Sequence, residues 1–332
     1  KTPIAVTALS SQALRDRNVT SILDIQNYVP DLSVGSRSGT GAGSGGVSIR
    51  GMGVDATGSS AAVGIYEDDV YIPSGTGSVG AGNLLGFFDV ARVEVLRGPQ
   101  GTLFGRNTIA GAVQYVTNAP EDEFGGYVDV TGGTDARADF QGALNIPLGD
   151  SFAVRIAGIS TTEGGYVHDI LDNTDRGASR MQGLRLRASW TPPTRLTIDL
   201  KGEVLHESTN GRAVLVSGVN PNAQFVGLAQ LFGEIRPLDD SYLSPGKYRS
   251  VGFNAPDYFR YDSTEAQAIV NYEISDDLDF KSISAYSTSR PRLAQDFDNT
   301  PLSIYSSLPA HQKLGVLTQE LQPLQQAPSE RL

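Results

Sequence analysis

The 332-residue chain has no cysteine, a single tryptophan, two methionines and three histidines. Without thiols there is no disulfide framework and no thiolate metal site, a composition that suits an envelope protein crossing an oxidising space. No run of about 18 apolar residues occurs, which excludes a membrane-spanning helix. It does not exclude a β-barrel, whose strands need only about 10 alternating residues each. Basic runs are missing too: 37 Asp and Glu against 26 Lys and Arg leave a net charge of -11. That balance argues against a nucleic-acid partner, because phosphate backbones call for clustered Lys and Arg. The chain opens at Lys1 with neither a Met nor a basic and apolar leader, so a secretory signal is either absent or already removed. What is abundant is glycine, at 38 residues, with 13 tyrosines and 12 phenylalanines. This composition leans toward β structure with many turns.

Two regions of different character meet near residues 118 to 123. In the first, a short helical piece is expected around residues 10 to 17. A second is expected through Tyr28, capped by Thr20 or Ser21, carrying Ile22, Leu23, Ile25 and Val29 at helical spacing and ended by Pro30. Short strands follow in LSV, GGVSIRGMG and AAVGIYEDDVYIP, with Glu67 to Asp69 at a tight turn. The whole is a mixed α+β unit of about 120 residues.

The second region is a succession of period-2 segments. Phe152, Val154 and Ile156 alternate with Ala153, Arg155 and Ala157. Leu184, Leu186, Ala188 and Trp190 oppose Arg185, Arg187 and Ser189, and Leu196, Ile198, Leu200 and Val204 oppose Thr197, Asp199, Lys201 and Glu203. An apolar face backed by an ionised one is what a wall between lipid and a wet lumen requires. Connections alternate as well: PLGDS, TPPT and SDD are short, whereas 162 to 180 and 206 to 263 are long and polar. Short turns on one rim and long loops on the other suit an outer-membrane barrel, with Phe152, Trp190 and Phe280 in an aromatic girdle at the short-turn rim. A soluble β-sandwich or β-helix shares the alternation, but its second face would simply be solvated. Eight strands are expected, near 125–132, 138–148, 151–161, 181–191, 194–205, 265–275, 278–288 and 316–325. An eight-stranded barrel is filled by its own side chains and leaves no room for the first region. Either that region sits outside, or the strands are the front of a larger barrel.

The stretch VEVLRGPQGTLFGRNTIAGAVQYVT, residues 93 to 117, sets Gly98, Gly101, Gly105 and Gly111, the corner residue Pro99, and Arg97 and Arg106 between two strand-like ends. Glycines permit sharp corners, and arginines held in a packed unit must find carboxylates or carbonyls, so a rigid plug whose charges meet another surface is expected. Together with Ile49, Arg50, Gly51 and Gly53 in SIRGMG, and with VGIYEDDVYIP, this block resembles the plug domain of TonB-dependent outer-membrane receptors. PIAVTAL and LTQEL look familial too. The resemblance implies a membrane β-barrel of 22 antiparallel strands, here about the first eight, around an N-terminal α+β plug, with the plug at 1–120 and the barrel portion at 121–332. At about 26 residues per strand, 22 strands need about 570 residues beyond the plug, so the chain is expected to be truncated. Neither barrel closure nor transport is expected of the chain as given. The resemblance further implies residence in the outer membrane of a Gram-negative bacterium. The partners it implies are the TonB energy-transducing protein, acting through an N-terminal segment largely absent here, outer-membrane lipid and a small-molecule ligand such as a ferric siderophore, haem, cobalamin or an oligosaccharide. Arg50 and Arg97 would pair with barrel-wall glutamates, and Ile4 to Thr7 are expected to form the plug's first strand rather than a degenerate TonB box.

Competing chemistry is weak. Gly41, Gly43 and Gly46 satisfy G-x-G-x-x-G without the flanking strand and helix a dinucleotide site needs. DNTDRG at 172 to 177 lacks the terminal Glu of an EF-hand and is read as a polar loop. His168, His206 and His311 have no metal spacing, although the first two fall at loop tops where a metal chelate could touch them. No catalytic triad or paired-carboxylate signature is assignable, so no enzyme, resident metal or cofactor is expected. Ligand contact is assigned to the aromatics of 206 to 263, namely Phe225, Phe232, Tyr242, Tyr248, Tyr258 and Tyr261, with Phe253 and Phe259 beside them, above a floor of plug loops 53–61 and 74–83. The alternative function is a passive outer-membrane binding or adhesion protein without energy coupling.

Overall fold

The computed structural model describes residues 5–17, 19, 21–34, 47–53, 61–72, 87–222, 224–234 and 236–325. The G-x-G-x-x-G stretch and nearly all of the two plug loops assigned as a ligand floor lie outside them.

The first unit begins with β1 (Ala5–Ser10), α1 (Ser11–Asp16) and α2 (Ile22–Ile25). β2 (Leu32–Val34) and β3 (Val47–Ile49) form a small antiparallel pair. They are followed by β4 (Val63–Glu67), β5 (Val70–Tyr71), β6 (Val90–Arg97), α3 (Gly101–Phe104) and β7 (Gly111–Thr117). Its main sheet has the order β1-β6-β7-β4-β5, with β4 and β7 parallel. The expected strand at the start of the chain is β1, which pairs along its whole length with residues 92–97 of β6. The second helix is shorter than its apolar spacing suggests. Asp24 accepts from the Ser21 backbone N–H and hydroxyl at 2.9 Å, and beyond Ile25 the chain tightens into turns before Pro30. The core packs Leu9, Leu14, Ile22, Ile25, Val29, Ile49, Val93, Val95 and Val113 between these helices and the sheet.

The glycine-rich block is a hairpin of β6 and β7 whose connection is stitched by Gly98 N–H to the Ala110 carbonyl and Gln100 N–H to the Thr108 carbonyl, both at 2.9 Å. Gly98 adopts φ 103°, which glycine tolerates at little cost. Gly111 is there for closeness: a Cβ on it would lie 2.2 Å from the Leu96 carbonyl oxygen.

The second unit contains all eight expected strands, as β8 (Gly125–Gly132), β9 (Ala138–Pro147), β10 (Phe152–Glu163), β13 (Ser179–Trp190), β14 (Leu196–Thr209), β16 (Tyr258–Ser275), β17 (Leu278–Ala294) and β19 (Leu314–Gln325). Each pairs antiparallel with the next in that order. The stretches read as long loops are partly ordered. β11 (Val167–Asp169), β12 (Thr174–Arg176) and β15 (Arg249–Ser250) form a small sheet, α4 spans Gln224–Leu231, and β18 (Ala310–His311) pairs with the end of β17. DNTDRG is the β11–β12 hairpin, and its Arg176 pairs with Asp169 and Asp172.

The alternation resolves as expected on the outside. Leu184, Leu186, Leu200, Val204, Phe152, Ile156 and Trp190 are exposed, whereas Arg155, Arg185, Arg187 and Lys201 of the other face are buried. Phe152 lies directly opposite Trp190, and Phe280 opposite Tyr272, beside the short turns. Much of the inner face packs on the first unit instead of lining a lumen: Phe88 of that unit joins Ala143, Ala157, Ile159, Leu205, Phe259, Tyr261 and Leu293 in a shared core.

Candidate functional site: the ionic seam between plug and wall

The plug meets the wall at the tip of the β4–β5 hairpin. Glu67 pairs with Val70, so Asp68 and Asp69 form a two-residue turn, and both have positive φ, 46° and 69°. Two left-handed residues in succession make a type I′ turn, a conformation Asp tolerates better than most side chains. This geometry delivers three consecutive carboxylates to one place.

The wall presents cations there. Glu67 accepts from Arg185 Nη2 and Lys201 Nζ at 3.1 Å and from the Tyr115 hydroxyl at 2.9 Å. Asp68 accepts from the Thr117 N–H and hydroxyl, each at 2.8 Å, and from Lys201 Nζ at 3.0 Å; Arg187 Nη1 stands 3.7 Å from it. Asp69 takes Lys281 Nζ at 2.7 Å and Gln114 at 2.6 Å. Further along, Asp89, also at positive φ, grips Arg155 through two hydrogen bonds of 2.6 and 2.7 Å. Arg185, only 1% exposed, also donates to Glu203 and to the Phe88 carbonyl at 2.6 Å and lies 4.2 Å over the Phe88 ring. Lys201 reaches Glu265 at 2.8 Å.

Register explains why the seam needs both partners. Arg155 is directly opposite Arg187, and Arg187 directly opposite Lys201, a row of like charges across three adjoining strands. Such rows destabilise a sheet unless anions intervene, and the plug supplies the anions. Burial by itself would raise the Asp68 carboxyl, but Lys201, Arg187, Arg185 and the Thr117 N–H hold it down to about 2. Burial pushes the Tyr115 hydroxyl well up, and Glu67 beside it adds to the rise, so it stays a donor.

The plug motif residues are scattered around this seam rather than in it. Arg50 and Arg97 both lie 3.9 Å from Asp31 of the plug, the nearest acidic partner of each among the described residues. Arg106, expected to be held in the packed unit, is exposed in the β6–β7 connection, because the hairpin turn carries it outward. Gly51, Gly53, Gly98, Pro99 and Gly105 lie in the connections between elements, Gly101 opens α3, and Gly111 opens β7. The pairing of these carboxylates has no local signature: EDD reads as a turn and the wall arginines as a charged face, but nothing along the chain says that one meets the other.

The aromatic set is distributed over several different elements. Phe225 falls in α4, Phe232 is 83% exposed beyond its end, Tyr242 sits in a 3-10 turn, and Tyr248 is exposed with Lys247 Nζ 5.2 Å from its ring centre. Tyr258 and Tyr261 are on β16 rather than in a loop, since that strand begins earlier than its apolar pattern indicates. Tyr261 stacks 6.2 Å from Phe259 inside the core. His168 and His206 each face a carboxylate, Asp175 at 3.0 Å and Asp262 at 2.6 Å. Among the described residues no His, Cys, Asp and Glu group is arranged to hold a metal.

Residues 1–112 match the family model described as TonB-dependent Receptor Plug Domain. The Vitamin B12 transporter BtuB of Vibrio vulnificus is 30% identical over half of this chain and 26% of its own length. The Pesticin receptor of Yersinia pestis is 23% identical over 85% of this chain and 38% of its own. Among solved structures, the ferric yersiniabactin uptake receptor FyuA from Yersinia pestis superposes with a TM-score of 0.76 at 18% identity, covering 99% of this chain and 46% of that one. The siderophore receptor PiuA from Acinetobacter baumannii gives 0.72 at 15%, covering 99% and 43%. The chain therefore spans less than half the length of each of these proteins.

Proposed function

We infer, for a chain that belongs to the TonB-dependent receptors through its plug domain and the opening strands of their outer-membrane barrel, that the complete protein imports a scarce ligand such as a ferric siderophore. The observation that carries this reading is the seam itself. Buried carboxylates of one unit are matched to buried cations of another by polar contacts, which hold the plug in register yet break as a set. An ionic interface resists slow opening because each unpaired buried charge is costly; removing one partner typically costs about 3–5 kcal/mol. A pull on the plug exchanges those pairs for water, and the plug's charged face then lines a hydrated path. No covalent step is involved. The cargo class rests on the names carried by the relatives, which include ferric chelates and vitamin B12.

TonB, gripping an N-terminal segment, would supply the pull, and the long-loop rim would capture the ligand. The test is uptake of radiolabelled iron, offered as a panel of ferric siderophores, by cells expressing the complete receptor. Energised cells are expected to accumulate label, and uncoupled cells to bind it without accumulating it. Equal retention with and without energy would sink the import reading and leave a passive binding protein. Accumulation of labelled cobalamin instead of iron would keep the mechanism and change the cargo.

A further inference from the structure

The outer face of the wall is not uniformly apolar. Following residues directly opposite one another from β10 to β17, the row Ile156, Leu186, Gly202, Ala266, Tyr286 carries no charge, and neither does the next row toward the long loops: Gly158, Leu184, Val204, Thr264, Thr288. The two rows above change abruptly. One holds Gln182, His206, Asp262 and Arg290; the other holds Arg180, Ser208, Arg260 and Arg292, with His311 opposite Arg292. Four arginines thus share this outward patch with one carboxylate, in a chain whose net charge is -11.

Asp262 is already engaged, by His206 at 2.6 Å and Arg292 at 3.4 Å. Arg260 is directly opposite Arg292 and lies over the Tyr258 ring at 5.6 Å, while Arg180 and Arg290 are exposed with no carboxylate partner among the described residues. Two arginines face to face on adjoining strands repel. On the inner face the same arrangement, Arg155 with Arg187 and Lys201, is offset by plug carboxylates. On the outer face the described residues of the patch offer only Asp262, already engaged by His206 and Arg292, against four arginines. The position names the counter-anion: immediately above an uncharged belt, on the long-loop rim, the surface stands at the headgroup level of the outer leaflet. Guanidinium groups match phosphate oxygens in pairs.

We propose that Arg180, Arg260, Arg290 and Arg292 form a binding site for the phosphates of a phosphorylated glycolipid of the outer leaflet. This rests on the membrane-barrel reading of the wall, and the experiment separates the two. The complete receptor in mild detergent is titrated with bis-phosphorylated lipid A and bound lipid is counted by native mass spectrometry. Wild type is expected to retain the lipid, and the triple variant Arg260→Gln, Arg290→Gln, Arg292→Gln to bind about 100-fold more weakly. The corresponding Arg→Lys triple variant should keep most of the affinity, which guards against a folding defect, and dephosphorylated lipid should compete poorly. Wild-type affinity in the Gln variant, or equal competition by dephosphorylated lipid, overturns the proposal. Inorganic phosphate binding as tightly as the lipid overturns it in favour of a soluble anion. In parallel, a fluorophore on Trp190→Cys is exposed to vesicles of acyl-brominated lipid. Quenching without arginine-dependent lipid binding rejects the patch alone; no quenching rejects the membrane barrel beneath it.

Discussion

At the scale of single residues, Lys201 concentrates most of the seam's burden, since its ammonium group touches Glu67, Asp68 and Glu265 within 3.1 Å. Lys201→Met keeps the stem and removes the charge, leaving carboxylates buried without their cation. We expect a loss of about 3–5 kcal/mol in denaturant unfolding of the receptor. Adding Asp68→Asn should recover part of that loss, so the double variant is less destabilised than the sum of the singles, with a coupling of about 1–3 kcal/mol. Strict additivity would mean the pair does not interact. Asp68 also sets a pH dependence. Its carboxyl is held at about 2 in the folded protein against an ordinary value of 3.8, so its contribution is complete above about pH 4 and is lost as pH falls toward 2. Plug release followed by limited proteolysis should therefore rise only in that acid window, and Asp68→Asn should flatten the profile there. Gly111→Ala faces no such titration but meets the Leu96 carbonyl at 2.2 Å, and it is expected to lower the yield of protease-resistant plug at any pH.

Individual elements show how ordered the long-loop rim is. Arg212 binds Asp257 at 2.7 and 2.9 Å and also holds the Asp296 carbonyl and, at 3.1 Å, Asn299, tying the segments around 212, 257 and 296 to 299 together. Asp296 is fully buried and accepts backbone N–H groups from Asn254, Ala255 and Asn299. Burial, and then the neighbouring Asp298, nonetheless push its carboxyl up to about 7. The sign is the reverse of Asp68: a raised acid stabilises the fold most when protonated, so its contribution falls as pH rises from about 4 through 7. Hydrogen exchange of segments 254–257 and 295–305, corrected for intrinsic rate, should be slower at pH 5.5 than at pH 8, and Asp296→Asn should remove the difference. The strands make a simpler case. Leu184 and Val204 lie side by side on the exposed face, and Leu184→Arg at mid-belt is expected to cost about 2–4 kcal/mol in vesicles. A cost near zero in vesicles would mean that the face meets water.

For the molecule as a whole, the two units form one body because the inner face of the wall is complementary to the plug in charge and in shape. The shared core around Phe88 and the seam around Glu67 and Asp68 are its apolar and ionic halves. Plug and wall should therefore unfold together in urea, and loss of Phe88 to Ala should destabilise the pair rather than the plug alone. Separate transitions unaffected by Phe88→Ala would show that the shared core contributes nothing to their union.

Much of this was legible without coordinates because period-2 alternation is a local property. Leu184, Arg185, Leu186 and Arg187 announce two faces by themselves, and PLGDS, TPPT and SDD mark where strands turn. The order of the eight long strands, the apolar exterior and the glycine-cornered hairpin at 93 to 117 all follow from such short-range signals. Strand ends were less legible: β16 starts at Tyr258, inside a stretch read as loop, because polar residues continue the ladder once neighbouring strands offer hydrogen bonds. What only the tertiary structure decided is which charge meets which. Asp68 and Lys201 are 133 residues apart, and Arg155 and Asp89 are 66 apart. Coulomb attraction acts through space, so these pairings leave no periodic trace along the chain, and neither does the row of arginines that strand register gathers on the outer face.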